Sequence, residues 1–171
     1  MFVLGIDPGL SRCGYGCVER GRPPRPVAAG IIRTDPGLAL PQRLAEMQAE
    51  LRDLIGQLQP DVVAVERVLF QHNVRTAMGV GMASGIAMAE AAAAGCEVVE
   101  YSPNEIKQVV AGSGSAGKEE VGRMVTTILR LPKLLRPADA ADAMAVALCF
   151  LAQAPLRRQP STVSSTLGGQ G

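Results

Sequence analysis

The sequence predicts an α/β domain built on a mixed five-stranded sheet with helices flanking it. Two patterns point there: the N-terminal part of the chain reads as three strands in succession, and the remainder alternates strand and helix before ending in helices. Composition agrees, because 47% hydrophobic against 19% charged residues is enough to fill a core. A length of 171 residues suits one domain. Aromatics are 3% and Trp is absent, so that core must be made of Val, Ile, Leu, Ala and Met.

Residues 2–6 form an apolar run that stops at the turn signal Asp7-Pro8-Gly9, as a buried strand would. Residues 15–18 and 27–33 read as two further strands around the turn-rich Gly21-Arg22-Pro23-Pro24, which completes an antiparallel meander. A loop over 35–40 leads into a helix opened by Pro41, a favourable first-turn residue. Leu44, Met47, Leu51, Leu54 and Leu58 give that helix one apolar face, and Pro60 stops it. Residues 62–65 are the fourth strand, ending in Glu66.

A long Ala- and Gly-rich helix is expected over 73–94, then a fifth strand over 96–101. Ser102 caps the next helix, with Glu105 in the capping-box position. A flexible loop over 112–117 precedes a helix over 118–130. Pro132 and Pro137 break the chain before a last helix over 138–153. The domain is thus expected to span 1–153. Residues 154–171, rich in Ser, Gly, Gln and Pro, are expected to form a disordered tail. The order βββαβαβααα matches an RNase H-like layout, whereas a Rossmann unit would begin with alternating β and α.

The net charge of +1 is not the footprint of a protein that holds nucleic acid by charge alone. Setting aside four acidic residues for a metal site, however, leaves twelve against seventeen Lys and Arg, so a DNA partner stays open. Cys13, Cys17, Cys96 and Cys149 lack CxxC spacing and His72 is the sole histidine, which argues against zinc and for reduced, mostly buried thiols in a cytoplasmic protein. No basic segment precedes an apolar stretch at the N-terminus, so no signal peptide is expected. The longest apolar run, residues 143–152, is too short to span a bilayer.

Four carboxylates carry the chemistry. Asp7 and Glu66 each end an apolar strand, where side chains of an α/β sheet meet ligands. Asp139 and Asp142 lie three apart at a helix start and share a face. Taken singly, Asp7 could be a turn former, Glu66 a surface charge and Asp139 a helix-start residue. Asp142, set among alanines, has less excuse. Together, hard oxygen donors without a His or Cys cluster suit Mg²⁺ or Mn²⁺, and two such ions can hydrolyse a phosphodiester. The second Asp-Pro-Gly, at Asp35, reads as a turn only.

Gly5-Ile6-Asp7-Pro8-Gly9 with Gly14-Tyr15-Gly16, then Ala64-Val65-Glu66-Arg67-Val68, the loop from Gly112 to Lys118, and Pro137-Ala138-Asp139-Ala140-Ala141-Asp142-Ala143 resemble, in order and spacing, the motifs of the RuvC-type Holliday-junction resolvases. The resemblance covers about residues 1 to 153. It implies a homodimer that nicks two like-polarity strands of a four-way DNA junction and works with the RuvA and RuvB branch-migration proteins. By motif position it makes Asp7, Glu66, Asp139 and Asp142 the metal ligands, with Lys118 as a further catalytic residue, and places Lys107 and Lys118 against DNA. Where the family commonly has an aromatic wedge three residues after the second-motif Glu, this chain has Leu69, followed by Phe70. Either could wedge between bases, and Phe70 could instead be core. Asn73 and Arg75, at the next helix start, could reach phosphate. Gly79, Gly81 and Gly85 on that helix would pack on the sheet or, by the resemblance, at a dimer interface.

Other readings compete. Actin-like phosphotransferases share the first turn but need two such domains. A P-loop over 112–118 would want Ser or Thr where Glu119 stands. A nuclease acting on RNA–DNA hybrids would share the same carboxylates. A non-catalytic DNA-binding module would have no reason to keep four anionic groups that repel phosphate.

Overall fold

A computed structural model of the chain describes residues 1–67 and 74–157. Its elements follow the expected order: β1 (Phe2–Asp7), β2 (Arg12–Glu19), β3 (Arg25–Arg33), α1 (Leu40–Leu58), β4 (Val62–Glu66), α2 (Val74–Ala93), β5 (Glu97–Tyr101), α3 (Pro103–Ala111), α4 (Lys118–Ile128) and α5 (Ala138–Arg157). The five strands form one mixed sheet in the order β3-β2-β1-β4-β5. β1 pairs antiparallel with β2 and parallel with β4, and β4 pairs parallel with β5. This is the RNase H-like α/β arrangement expected from the sequence.

Strand alternation divides the core into two layers. Leu4, Ile6, Cys13, Cys17, Val63 and Val65 pack on one face against Met47, Leu51 and Ile55 of α1 and Ala83, Ala87 and Ala91 of α2. Val3, Val18, Val62 and Ala64 pack on the other face against α3, α4 and α5. The apolar stripe of α1 is narrower than the spacing suggested. Ile55, which the expected face omitted, is buried, whereas Leu44, Leu54 and Leu58 are half-buried. Glu90 of α2 is 8% exposed and accepts hydrogen bonds from Gln48 and Arg52 of α1, which fastens the two helices together.

The structure refines the expectations for the loop, the last helix and the glycines of α2. Residues 112–117 form the expected loop, and Gln108 holds its first part. Gly112 ends α3 in a left-handed turn, the amide of Gln108 donates to its carbonyl at 3.0 Å, and the Gly114 N–H donates back to Gln108 Oε1 at 3.1 Å. The last helix also runs past residue 153 to Arg157, because Ala154 is still buried in the core and that packing outweighs the local preference to stop. The glycines of α2 do not pack on the sheet. Gly81 and Gly85 face open space, and Gly79 meets only Leu10, at 3.5 Å.

All four cysteines are free thiols, with Cys96 half-buried and the others buried. Burial pushes the Cys13 thiol up to about 12 and the Cys17 thiol up to about 11, so both stay protonated and inert.

Candidate active site

The site begins with side-chain parity. Asp7 follows Val3 and Gly5 at intervals of two, and Glu66 follows Val62 and Ala64, so both carboxylates point to the α5 side of the sheet. β1 and β4 are parallel neighbours in register up to Ile6 and Val65, which brings the two strand ends side by side. The turn after Asp7 is held from below: the Thr34 hydroxyl donates to the Leu10 carbonyl at 2.6 Å, and Arg43 donates to Ser11 Oγ at 2.6 Å and Thr34 Oγ1 at 3.1 Å.

The opposite wall is the start of α5. Three glycines let it lie directly on the sheet. A methyl group at Gly5 would strike the Ala143 carbonyl and come within 2.7 Å of the Ala147 nitrogen. One at Gly14 would strike the backbone of Asp139, and one at Gly16 would sit 2.8 Å from the Met144 nitrogen. Asp139 and Asp142, one helical turn apart, are thereby lowered onto Asp7. Oxygens of Asp7, Asp139 and Asp142 all lie within 4.8 Å of one another. Glu66 stands outside this trio. It shares with Asp7 and Asp142 the lining of a cavity of about 120 Å³, together with Lys107 and Lys118. The two groupings overlap in Asp7 and Asp142.

Cations answer some of this charge. Lys118 Nζ donates to Asp142 Oδ2 at 3.0 Å, and the contact raises the lysine's pKa. Arg12, which the sequence reading passed over, donates from Nε and Nη2 to Asp139 Oδ2 at 2.8 and 2.5 Å. Parity was the available signal, since Arg12 shares a sheet face with Gly14 and Gly16. Asp7 is left with anionic neighbours. Burial first, then Glu66, Asp142 and Asp139, push its pKa from 3.8 up to about 7, against a smaller opposing pull from Lys118. Burial and Asp142 also raise Glu66. Half-buried anions packed this closely fit a divalent cation, and the all-oxygen donor set suits a hard one.

The sign of the pH effect follows. A carboxyl whose folded pKa is raised stabilises the fold fully below its unfolded value of 3.8, and that contribution is lost as pH rises through about 7. With a chelator present, this group is expected to lower the melting temperature between about pH 4 and pH 7. In Asp7→Asn the fall should be shallower, leaving only the part due to Glu66. Thermal scans at several pH values check this, and an equal slope in both proteins would contradict it.

The other anticipated DNA contacts are placed only in part. Lys107 and Lys118 are at the cavity. Leu69, Phe70, His72 and Asn73 lie outside the described residues. Arg75 is in the first turn of α2, but its side chain is outside them too.

Comparison with known proteins bears on this geometry. Residues 3–150 match the family model for the crossover junction endodeoxyribonuclease RuvC. Proteins of that name from Salinispora arenicola and Thermobifida fusca are 53% and 52% identical over 153 residues, covering 88% of this chain and 87% and 84% of theirs. The structure of Thermus thermophilus RuvC in complex with a Holliday junction substrate superposes with a TM-score of 0.86 at 36% identity, over 92% of this chain and 96% of that one. The yeast mitochondrial Holliday junction resolvase, at 16% identity and a TM-score of 0.67, shares the fold. With residues 3–150 matched to the family model and relatives more than 50% identical over most of its length, the chain belongs to the RuvC family of crossover junction endodeoxyribonucleases.

Proposed function

We propose that the chain resolves four-way DNA junctions by hydrolysing one phosphodiester in each of two like-polarity strands, with Asp7, Glu66, Asp139 and Asp142 holding two Mg²⁺ ions, or Mn²⁺ in their place. The observation that carries the ligand assignment is the overlap of the two carboxylate groupings in Asp7 and Asp142, with Asp139 completing one and Glu66 the other. Ions bound there would activate the attacking water and stabilise the leaving 3′-oxygen. The chain's own part is to hold these oxygens at fixed spacing and to present Lys118 and Lys107 to the phosphate, whose charge they would offset. Lys118 begins α4, so the N-terminal end of that helix adds positive potential at the same edge.

A homodimer fits a reaction at two strands related by a two-fold axis. The outward side of α2, with Met78 exposed and Gly81 and Gly85 open, offers a surface that a second copy could approach closely. By family membership the junction would be received with RuvA and RuvB, in the cytoplasm. Among the described residues no helix is long and apolar enough to cross a membrane.

End-labelled four-way junction, linear duplex and RNA–DNA hybrid, each with Mg²⁺ or EDTA, test the proposal. Paired symmetric nicks in the junction alone, lost with EDTA, are expected. Equal cutting of hybrid or duplex would keep the metal chemistry and defeat the junction assignment, and no cutting of any substrate would favour a binding module. Phe70→Ala is expected to slow junction cleavage more than it lowers the melting temperature, as a thermal scan beside the cleavage assay would show. A collapse of stability would place Phe70 in the core and leave Leu69 as the wedge.

A further inference from the structure

Two basic side chains pair with the carboxylate cluster, and they differ in kind. Lys118 is 78% exposed at the end of a flexible stem. Arg12 is the first residue of β2, where its backbone is fixed by pairing with Arg33, and its guanidinium is 45% exposed beside an Asp139 that is 27% exposed. Both of its bonds go to one oxygen, Oδ2, of a carboxylate that also lies within 4.8 Å of Asp7 and Asp142. A guanidinium keeps its charge at every working pH. Any divalent cation drawn to the trio therefore shares Asp139 with a permanent positive charge one carboxylate away.

We propose that Arg12 is a built-in counter-cation of Asp139 that holds down the affinity of the Asp7–Asp139–Asp142 cluster for a divalent cation. The inference rests on the reading that this cluster is the cation site. Two effects of Arg12 oppose each other. Its hydrogen bonds restrict the rotamer of Asp139, which favours binding by a fraction of the entropy of one short side chain. Its charge repels a dication at a distance of a few ångströms, and in a partly exposed site that is the larger effect. Losing the charge should therefore tighten cation binding.

Calorimetric titration of Mn²⁺ into the full-length protein without DNA is the test, using wild type, Arg12→Gln, Arg12→Lys and Asp7→Asn. Arg12→Gln is expected to bind Mn²⁺ about tenfold more tightly, equivalent to about 1.4 kcal/mol. Arg12→Lys should stay within about twofold of wild type, because the charge is kept while the fork is lost. Arg12 is partly exposed at a strand end, so both variants should fold, and a thermal scan verifies it. Unchanged or weaker binding in Arg12→Gln would overturn the proposal and make Arg12 a buttress of Asp139. Tighter binding in Arg12→Lys equal to that in Arg12→Gln would overturn it too, by assigning the effect to geometry. If Asp7→Asn leaves Mn²⁺ binding untouched, the cation is not at this cluster, and the ligand assignment falls together with the inference.

Discussion

Asp7→Asn is expected to abolish junction cleavage while junction binding survives. The substitution keeps the shape of the side chain and removes one anionic oxygen from the centre of the site, where Asp7 belongs to both carboxylate groupings. Partners one shell out from a metal are typically worth about 10–100-fold, so on the proposed ligand assignment the loss of Asp7 should exceed about 100-fold in the rate of the chemical step. Binding should persist because a neutral group repels phosphate less than a carboxylate does. The fold should be no less stable, since burial and three like charges already oppose ionisation at this position. Single-turnover cleavage, a mobility-shift assay and a thermal scan on one preparation separate these effects. Wild-type cleavage by the variant would remove Asp7 from the ligand set, and loss of binding would mean that the junction is held through the metal.

Gly5→Ala is expected to be the most damaging Gly→Ala change among the described residues. The added carbon would occupy the place of the Ala143 carbonyl, and nothing there is a flexible side chain that could swing away. Overpacking costs about 1–3 kcal/mol and occasionally more, and a clash with helix backbone belongs at the upper end. About 3 kcal/mol corresponds to a fall of about 6–12 °C in melting temperature for a chain of this size. Cleavage should drop further than stability, because α5 can relieve the clash only by lifting Asp139 and Asp142 away from Asp7. Gly122→Ala in α4 is the control. A methyl there meets nothing within 4 Å, and the change should stabilise the protein by about 0.5–1 kcal/mol. Equal effects of the two substitutions would mean that α5 does not lie on the glycine strip as described.

The two arguments mark how far the residues alone could lead. Gly5, Gly14 and Gly16 of the first motif could be recognised by resemblance, but their purpose could not, because the atoms they make room for are more than 120 positions away in sequence. Arg12 was hidden for a similar reason, since its partner Asp139 is 127 residues distant. The hydrogen bonds that Gln108 makes in both directions to Gly112 and Gly114 could not be read from Gly and Ser considered one at a time.

Local physics determined much by itself. Alternation along two apolar strands decided that Asp7 and Glu66 share a face with Gly5 and Ala64. The three-residue spacing put Asp139 and Asp142 on one side of a helix, and the all-oxygen donor set led to the proposal of a hard divalent cation. The strand alternation and the helical spacing are short-range properties, set by backbone geometry over one or two turns or strand pairs. Which strand lies beside which, and how near a helix comes to a sheet, are settled by burial of surfaces that no local window contains. Only the tertiary structure placed β4 against β1, lowered α5 onto three glycines, and set a guanidinium on one of the four carboxylates that were otherwise legible from the start.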